Sequence, residues 1–509
     1  MPHKLRYDSP SSGGAAELIQ SRGVNELYDL IGIGFGPASL AIAVAIYDIL
    51  EERIARGRPG FSPKLTFLER QPTFGWHAGM LLPGTKMQIS FIKDLATMRN
   101  PRSHFTFLNY LKQHNRLVQF CNLDTFLPLR IEFEDYLKWS ASHFSDAVQY
   151  AQDVTSVKPL KINGNAKVNC LEVTSNDISS GVTNVRRGRS IVIAVGGRPS
   201  IPPVFPTNHA KIVHSSKYNQ NITQVLPDKD SRYRIAVVGG GQSAAEVFND
   251  LQRRFPNSRT TLMMRDTALR PSDDSPFVNE VFNPEVVDQF YSSAPDVRKT
   301  QLKTNRATNY SVVRLNLLEE IYENMYHQRL QDPNPENWQH RILSCREIVG
   351  VSDLPSGKIV LAANDRGIHG SDAPEEMQFD AVVLATGYIR DVHNQMLKDC
   401  QFINGSQDGT WTAERDYQVQ LNRDLVEPDV SIYLQGCNEQ THGLSDSLLS
   451  ILATRGGEIV DSVFGKAISE ADTNDYPAAK DTGMGPADSL HCKSNIDNLP
   501  AVKQYGLSS

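Results

Sequence analysis

The sequence has no Cys-x-x-Cys pair, and its six cysteines, Cys121, Cys170, Cys345, Cys400, Cys437 and Cys492, stand far apart. That spacing excludes a disulfide framework and a zinc site, so the thiols read as reduced groups packed inside the protein. There is no long basic run either, and a formal net charge of -6 sets up no field that would gather nucleic acid or an anionic membrane. The N-terminal stretch MPHKLRYDSPSSGGAAELIQ lacks the apolar core of a secretory signal, and no segment is long and apolar enough to cross a bilayer. The expected address is cytoplasmic. Short-period repeats are absent, which excludes a solenoid.

What is present is a chain of 509 residues, 40% hydrophobic and 22% charged, enough for two or three domains with ordinary cores. Residues 1–28 are rich in Ser, Gly and charge, and residues 470–509 carry Pro, Gly, Ser and Asp without periodicity; both read as disordered tails. Between them, β-branched runs repeatedly precede a glycine loop and an amphipathic stretch, the mark of an α/β fold with parallel sheets. Three runs carry the architecture. Tyr28 to Ile33 leads into Gly32, Gly34 and Gly36; Arg234 to Val238 leads into Gly239 and Gly241; Phe379 to Ala385 ends in Thr386-Gly387-Tyr388. The expected fold is two Rossmann-like dinucleotide-binding domains with a small substrate-binding region. Residues 29–230 plus 376–469 are assigned to the first domain, because 379–388 reads as a strand returning to its sheet, and residues 231–375 to the second.

Glycines suit such loops because a pyrophosphate must touch backbone N–H groups at a helix N-terminus, where the dipole favours negative charge and a Cβ blocks approach. Pro37 fits the first helical turn, where its missing N–H costs least. After the first loop, the strand candidate KLTFLE ends at Glu69, where a carboxylate can accept from both hydroxyls of an adenosine ribose, as FAD requires; the bland alternative is a solvated strand-end glutamate. After the second loop, RTTLMM ends at Arg265, whose guanidinium suits the 2′-phosphate of NADPH, while the adjacent Asp266 is the competing feature that favours NADH. Two such sites on one chain suit hydride transfer from nicotinamide to flavin. Without a redox cysteine pair beside the flavin, oxygen becomes the expected electron acceptor, which points to a monooxygenase or an oxidase.

Longer strings then narrow the reading. GIGFGPASLA, LERQPTFGWHAGM, MQISFIKDLATMRNPRSHFTFLNYL, VVGGGQSAAEVFNDLQ, MRDTALRPSDDSPFVNEVFNPE, ATNYSVV, the Asp380 to Tyr388 signature and QGCNEQTHGLSDSLLSILA together resemble the flavin-dependent N-hydroxylating monooxygenases, and within them the fungal L-ornithine N5-monooxygenases of hydroxamate siderophore synthesis. The resemblance covers about residues 28–469. It implies FAD and NADPH as cofactors, L-ornithine and O2 as substrates, no metal, and a homotetramer. It implies FAD contacts from the loop Gly32, Gly34, Gly36 and Pro37, from Glu69, Arg70, Gln71, Pro72, Thr73, Phe74, Gly75, Trp76 and His77, and from Gln88, Val154, Ser447, Leu448 and Leu449. For NADP the matching positions are Gly240, Gly241, Gln242, Ser243, Arg265, Asn309, Tyr310 and Ser311. For ornithine they are Lys93, Asn279, Glu280, Val281, Phe282, Asn309 and Ser450. No side chain is assigned as a catalytic acid or base, since the resemblance implies that the amine is hydroxylated by a C4a-hydroperoxyflavin. The alternatives are an L-lysine N6-hydroxylase and a flavin- and NADPH-binding redox sensor without turnover.

Several of these positions have a plain structural reading beside the functional one. Lys93 can pair with Asp94 or lie along the surface instead of meeting a substrate carboxylate. Asn279, in a Pro- and Asp-rich segment, can be a surface turn rather than an amide that grips an amino acid. His77 is expected to pack at a flavin edge and His442 to make a structural hydrogen bond. Met87 and Gln88 precede Lys93 by one or two strand or helix steps, so one element is expected to serve flavin and substrate together.

Overall fold

The computed structural model describes residues 26–58, 60–367, 370 and 373–475. The chain builds the same arrangement twice. In the first unit, strands β1 (Leu27–Ile33), β2 (Leu65–Leu68) and β3 (Val148–Gln149) lie parallel, and β1 also pairs in parallel with β6 (Thr183–Ile193). The antiparallel strands β4 (Gln152–Leu160) and β5 (Cys170–Asp177) extend the sheet from β6, giving the order β3-β2-β1-β6-β5-β4. In the second unit, β9 (Arg234–Val238), β10 (Arg259–Met263) and β11 (His340–Leu343) take the places of β1, β2 and β3. There β12 (Arg346–Asp353), β13 (Ile359–Asp365) and β14 (Glu375–Phe379) form a separate antiparallel meander that runs on into β15 (Ala381–Leu384). The second sheet reads β11-β10-β9-β15-β8, with β8 at Ile212–His214.

This corrects the expectation that residues 379–388 return to the first sheet. Strand β15 pairs with β9 and β8 of the second sheet, in the register Val383 to Val237 and Val213. Chain connectivity decides it: β14 ends at Phe379 and β15 begins at Ala381, which leaves no length for a crossover. Asp380 locks the junction, its N–H donating to Arg234 O at 2.7 Å and its carboxylate accepting from Arg234 N at 2.8 Å. The strand that does return to the first sheet is β17 (Ser431–Leu434), parallel to β6. The second unit therefore takes in β8 before residue 231 and β15 after residue 375. The two segments that link the units pair as a short antiparallel ladder, β7 (Arg198–Pro199) against β16 (Tyr388–Ile389).

The ordered fold extends further at both ends than the expected tails, 1–28 and 470–509, allow. Leu27 and Tyr28 already belong to β1, with Tyr28 buried, and the helix Leu452–Asp475 runs past residue 470, where Arg53 reaches Asp472 at 2.7 Å. Residues 1–25 and 476–509 of these segments lie outside the described residues. The helix Pro37–Ala55 is apolar on nearly every face over Ser39–Tyr47 because that stretch is buried on every side, Gly456 of the C-terminal helix packing on its Ala41. Among the cysteines, Cys170 and Cys400 are buried as expected, Cys345 and Cys437 are half-buried, and Cys121 is exposed, against the expectation of packing; Cys492 lies outside the described residues. Among the described residues no helix is long and apolar enough to cross a membrane, and no cluster of His, Cys, Asp or Glu is placed to hold a metal.

Candidate functional site

The two glycine loops are built alike. Gly34 follows β1 with φ +88, and a Cβ there would stand 2.6 Å from Ala194 O; Gly239 follows β9 with φ +146, and a Cβ there would stand 2.3 Å from Ala385 O. In each unit the carbonyl just beyond the neighbouring strand presses the loop's first residue into a conformation open only to glycine. Gly36 and Gly241 are then the N-caps of the helices Pro37–Ala55 and Gln242–Arg254, and neither helix has a side-chain cap. A Cβ on Gly36 would meet nothing within 4 Å. The protein itself does not demand glycine there, and the open space at an uncapped helix N-terminus fits a phosphate. Gly32, by contrast, serves packing: a Cβ would run into the Phe67 ring at 2.2 Å.

Glu69 stands just past β2, 7% exposed, and binds the first loop directly: its Oε2 accepts from Phe35 N at 2.7 Å and its Oε1 from Gln71 N at 2.8 Å. Backbone bonds from Ala151 to Gln71 and from Gln152 to Glu69 bring the start of β4, and with it Val154, to the same place. Around this core Phe74 is buried against Phe35, the Gln71 amide donates to Gly75 O, and Trp76 packs on Phe133. Arg70, Pro72 and Thr73 are exposed, Arg70 pairing with Asp153. His77, at φ 46, sits edge-on to Tyr388 of the linker ladder; it is open to solvent on one side yet enclosed by protein, and desolvation, aided by Arg130 and Arg390, pushes its pKa down to about 4.

At the second loop, Ser311 (φ 60) packs over Gly241, and Arg314 N donates to the Gln242 side chain at 2.8 Å. The Gln242 amide in turn donates to Glu246, so this side chain is occupied within the protein, and its expected contact with NADP is left to its backbone. Arg265 lies exposed beyond β10 with no ion pair among the described residues. Its competitor Asp266 is engaged by Arg270 at 3.1 Å and by Thr267 N, and those bonds hold its carboxyl below the usual range. The unpaired charge at this strand end is therefore the arginine.

Residues 438–450 lie between the units. Asp446 and Arg455, both buried, pair at 3.0 Å, and the Asp446 carboxylate also accepts from Asn438 N. That fastens the segment to the C-terminal helix and sets the positions of Ser447, Leu448, Leu449 and Ser450. The helical turn Glu280–Phe282 packs on Leu444–Ser447, while the Tyr310 hydroxyl donates to Glu439 at 3.1 Å and lies beside Ser447. The expected substrate residues Val281, Phe282, Asn309 and Ser450 thus share a locality with the expected flavin residues 447–449. Asn279, one turn earlier, also donates to Asp274 O, the bond of the surface-turn reading. A cavity of about 230 Å³ opens here, lined by Val281, Phe290, Leu302, Asn305, His442 and Ser445. His442 stacks on Tyr417 and contacts Arg415 O and Thr441, and burial holds its pKa down.

Four side chains here carry buried polar atoms without a hydrogen-bond partner among the described residues: the hydroxyls of Ser447 and Ser450, both ends of the Gln435 amide and one carboxylate oxygen of Glu439. Buried polar atoms of this kind normally find partners, and a polar ligand or water would supply them here. Lys93 is half-buried and free of ion pairs among the described residues; the anticipated partner, Asp94, takes bonds from Ala96, Thr97 and Phe107 instead. Met87 to Lys93 form a run of turns rather than one strand or helix, with Gln88 exposed. Sequence reasoning missed Gln435, Glu439, Arg130 and Glu246; all but Arg130 lie in quoted motifs, but no spacing there says what their side chains meet.

The duplicated nucleotide fold, with a carboxylate just past the second strand of one unit and an arginine at the matching place in the other, has the form of a flavin- and pyridine-nucleotide-dependent oxidoreductase. The comparisons agree on which: residues 26–390 match the model of the L-lysine 6-monooxygenase/L-ornithine 5-monooxygenase family, and the chain belongs to that family. It is 52% identical over 454 residues to the L-ornithine N(5)-monooxygenase of Emericella nidulans, covering 88% of this chain and 91% of that one. Among solved structures it resembles ornithine hydroxylase from Pseudomonas aeruginosa, with 38% identity, TM-score 0.77, and coverage of 87% of this chain and all of the other. It also resembles the Kutzneria ornithine N-hydroxylase with reduced FAD, NADP+ and L-ornithine, at 33% identity and TM-score 0.77, again over 87% of this chain and all of the other.

Proposed function

We propose that this chain hydroxylates the side-chain amine of L-ornithine to N5-hydroxyornithine with NADPH and O2, the first step of hydroxamate siderophore biosynthesis. The observation that carries the reading is the meeting of both nucleotide units at residues 438–450, where polar side chains stand unpartnered. FAD would lie on the first loop, held by Gly34, Gly36 and Glu69, and supplies electron storage and oxygen activation when bound. NADPH would lie on the second loop, its 2′-phosphate on Arg265.

The chain's own tasks are to bind, orient and exclude water. Lys93 would meet the substrate α-carboxylate in a charge-assisted pair, with Asn279, Asn309 and Ser450 satisfying the remaining polar groups. The reacting amine must be neutral, yet an alkylammonium of pKa ~10.4 lies about three units from deprotonation at pH 7, roughly 4 kcal/mol. A dry pocket lowers that pKa, and the Leu448 carbonyl is the acceptor that would orient the amine. Lysine is one methylene longer, so with its carboxylate fixed at Lys93 its amine is misplaced; binding alone separates such homologues by only about 1–3 kcal/mol.

The reading extends to a cytoplasmic homotetramer. The exposed Tyr322, Tyr326 and Leu330 on the helix Leu315–Gln331 supply an apolar surface for subunit contact, and sedimentation measures the assembly. The deciding experiment assays hydroxylated product with ornithine and lysine, each with NADPH and NADH. Ornithine with NADPH should give the highest yield. Equal product from lysine, or NADPH oxidation without hydroxylamine, would overturn the proposal.

A further inference from the structure

A buried ion pair links the two units. Glu246, in the second turn of the helix that starts at the second glycine loop, is 6% exposed. Arg130, the first residue of the helix Arg130–Ser142, grips its carboxylate with both ends of the guanidinium, at 2.9 and 2.7 Å. The same guanidinium donates to Met80 O at 3.1 Å, three residues from His77, and Met80 itself packs in the hydrophobic core of the second unit. Glu246 also accepts from the Gln242 amide at 2.8 Å, and Gln242 in turn receives Arg314 N from the loop that covers Gly241. One carboxylate therefore ties four pieces together: the glycine-loop helix, the loop over it, the 77–80 turn and a helix of the first unit.

We infer that Glu246 is a positioning residue for hydride delivery, holding the second glycine loop and the His77–Met80 turn at a fixed distance and angle through Arg130 and Gln242. Hydride transfer requires the donor and acceptor rings to sit within contact distance, and small misplacements far from the chemistry cost rate steeply. A buried bidentate pair is directional, unlike apolar packing, which tolerates sliding. The inference rests on the reading that the second loop carries NADPH.

The test compares the wild-type holoenzyme with Glu246→Gln, which keeps the shape and removes the charge. Stopped-flow reduction by saturating NADPH should slow by about tenfold or more, while the NADPH dissociation constant moves much less and reduction by dithionite is unchanged. A second measurement needs no cofactor. Hydrogen exchange on the FAD-free protein should speed up together at residues 242–247 and at residues 78–86 in the variant. Because removing one partner strands the other charge, Arg130→Met/Glu246→Met serves as the folded control, and it should show the same two effects. Unchanged reduction rates in either folded variant, or faster exchange confined to residues 242–247, would overturn the role of Glu246. Failure of wild-type protein to oxidise NADPH would instead refute the cofactor reading and leave the exchange result standing.

Discussion

The backbone N–H of Phe35 donates to the carboxylate of Glu69 at 2.7 Å across 34 residues of sequence, in the buried floor of the first glycine loop. A charge-assisted bond of this kind contributes about 1.5–3 kcal/mol, so Glu69 shapes the loop as well as offering itself to a ribose. Glu69→Ala should lower FAD affinity by about tenfold or more and loosen the loop even in the cofactor-free protein. Flavin titration followed by fluorescence checks the first effect, and faster amide exchange at Phe35 the second. Full flavin retention would show that the carboxylate serves only the loop.

Arg265 is the charged group left unpaired beyond β10, because Asp266 is spent on Arg270. Arg265→Ala should raise the KM for NADPH by about tenfold or more while altering the KM for NADH little, since only NADPH carries the 2′-phosphate. Steady-state assays with both nucleotides decide it. A parallel loss for both would mean that Arg265 supports the fold of the site rather than the phosphate.

The overall plan was readable in advance because it depends on local signals. The run Arg234–Val238 matches β9 residue for residue, and both glycine loops sit where strand, turn and helix meet. The third run reads as a strand from its apolar residues, but they do not say that its sheet is the second one. Its apolar residues say that it is buried on both faces, and only its single-residue junction with β14 says where. The Arg130–Glu246 pair joins positions 116 residues apart, and although Glu246 lies in the glycine-loop motif, nothing local points to Arg130 as its partner. Likewise the resemblance implies a nucleotide contact at Gln242, but what its side chain touches depends on Arg314, 72 residues away.

Lys93 has no ion-pair partner among the described residues, since Asp94 is turned inward to Phe107 N at 2.7 Å. Lys93→Ala should therefore raise the KM for ornithine by about a hundredfold, of the order expected for a lost charge-assisted pair, while NADPH-driven flavin reduction proceeds near the wild-type rate. Stopped-flow reduction beside product assays separates the two half-reactions. Equal loss in both would remove Lys93 from the substrate site.

His340, in β11, lies 2.8 Å from the Thr260 hydroxyl, and desolvation pushes its pKa down from 6.5 to about 4. As pH falls below 6.5, the unfolded chain takes up a proton that the folded chain refuses, so stability drops until about pH 4. With partial solvent screening at this half-buried ring, the loss is roughly 2 kcal/mol. Urea unfolding at pH 7.5 and at pH 4.5 should show a smaller pH-dependent loss in His340→Gln than in the wild type. Identical losses would place the acid sensitivity elsewhere.

Gly34 and Gly36 stand two residues apart in one loop but answer to different constraints. Gly34 is held at φ +88 with Ala194 O where a Cβ would be, so Gly34→Ala meets both strain and a clash, and the protein should lose about 2–3 kcal/mol or fail to fold. Gly36 has an ordinary backbone and open space around it, so Gly36→Ala should leave the cofactor-free protein as stable as the wild type. The added methyl would stand where the pyrophosphate approaches the helix N-terminus, and the purified variant should carry little or no flavin. Thermal unfolding of both cofactor-free variants, read with their flavin absorbance, separates the two roles. A stable Gly36→Ala protein that still binds FAD at full occupancy would mean that the phosphate lies elsewhere on the loop.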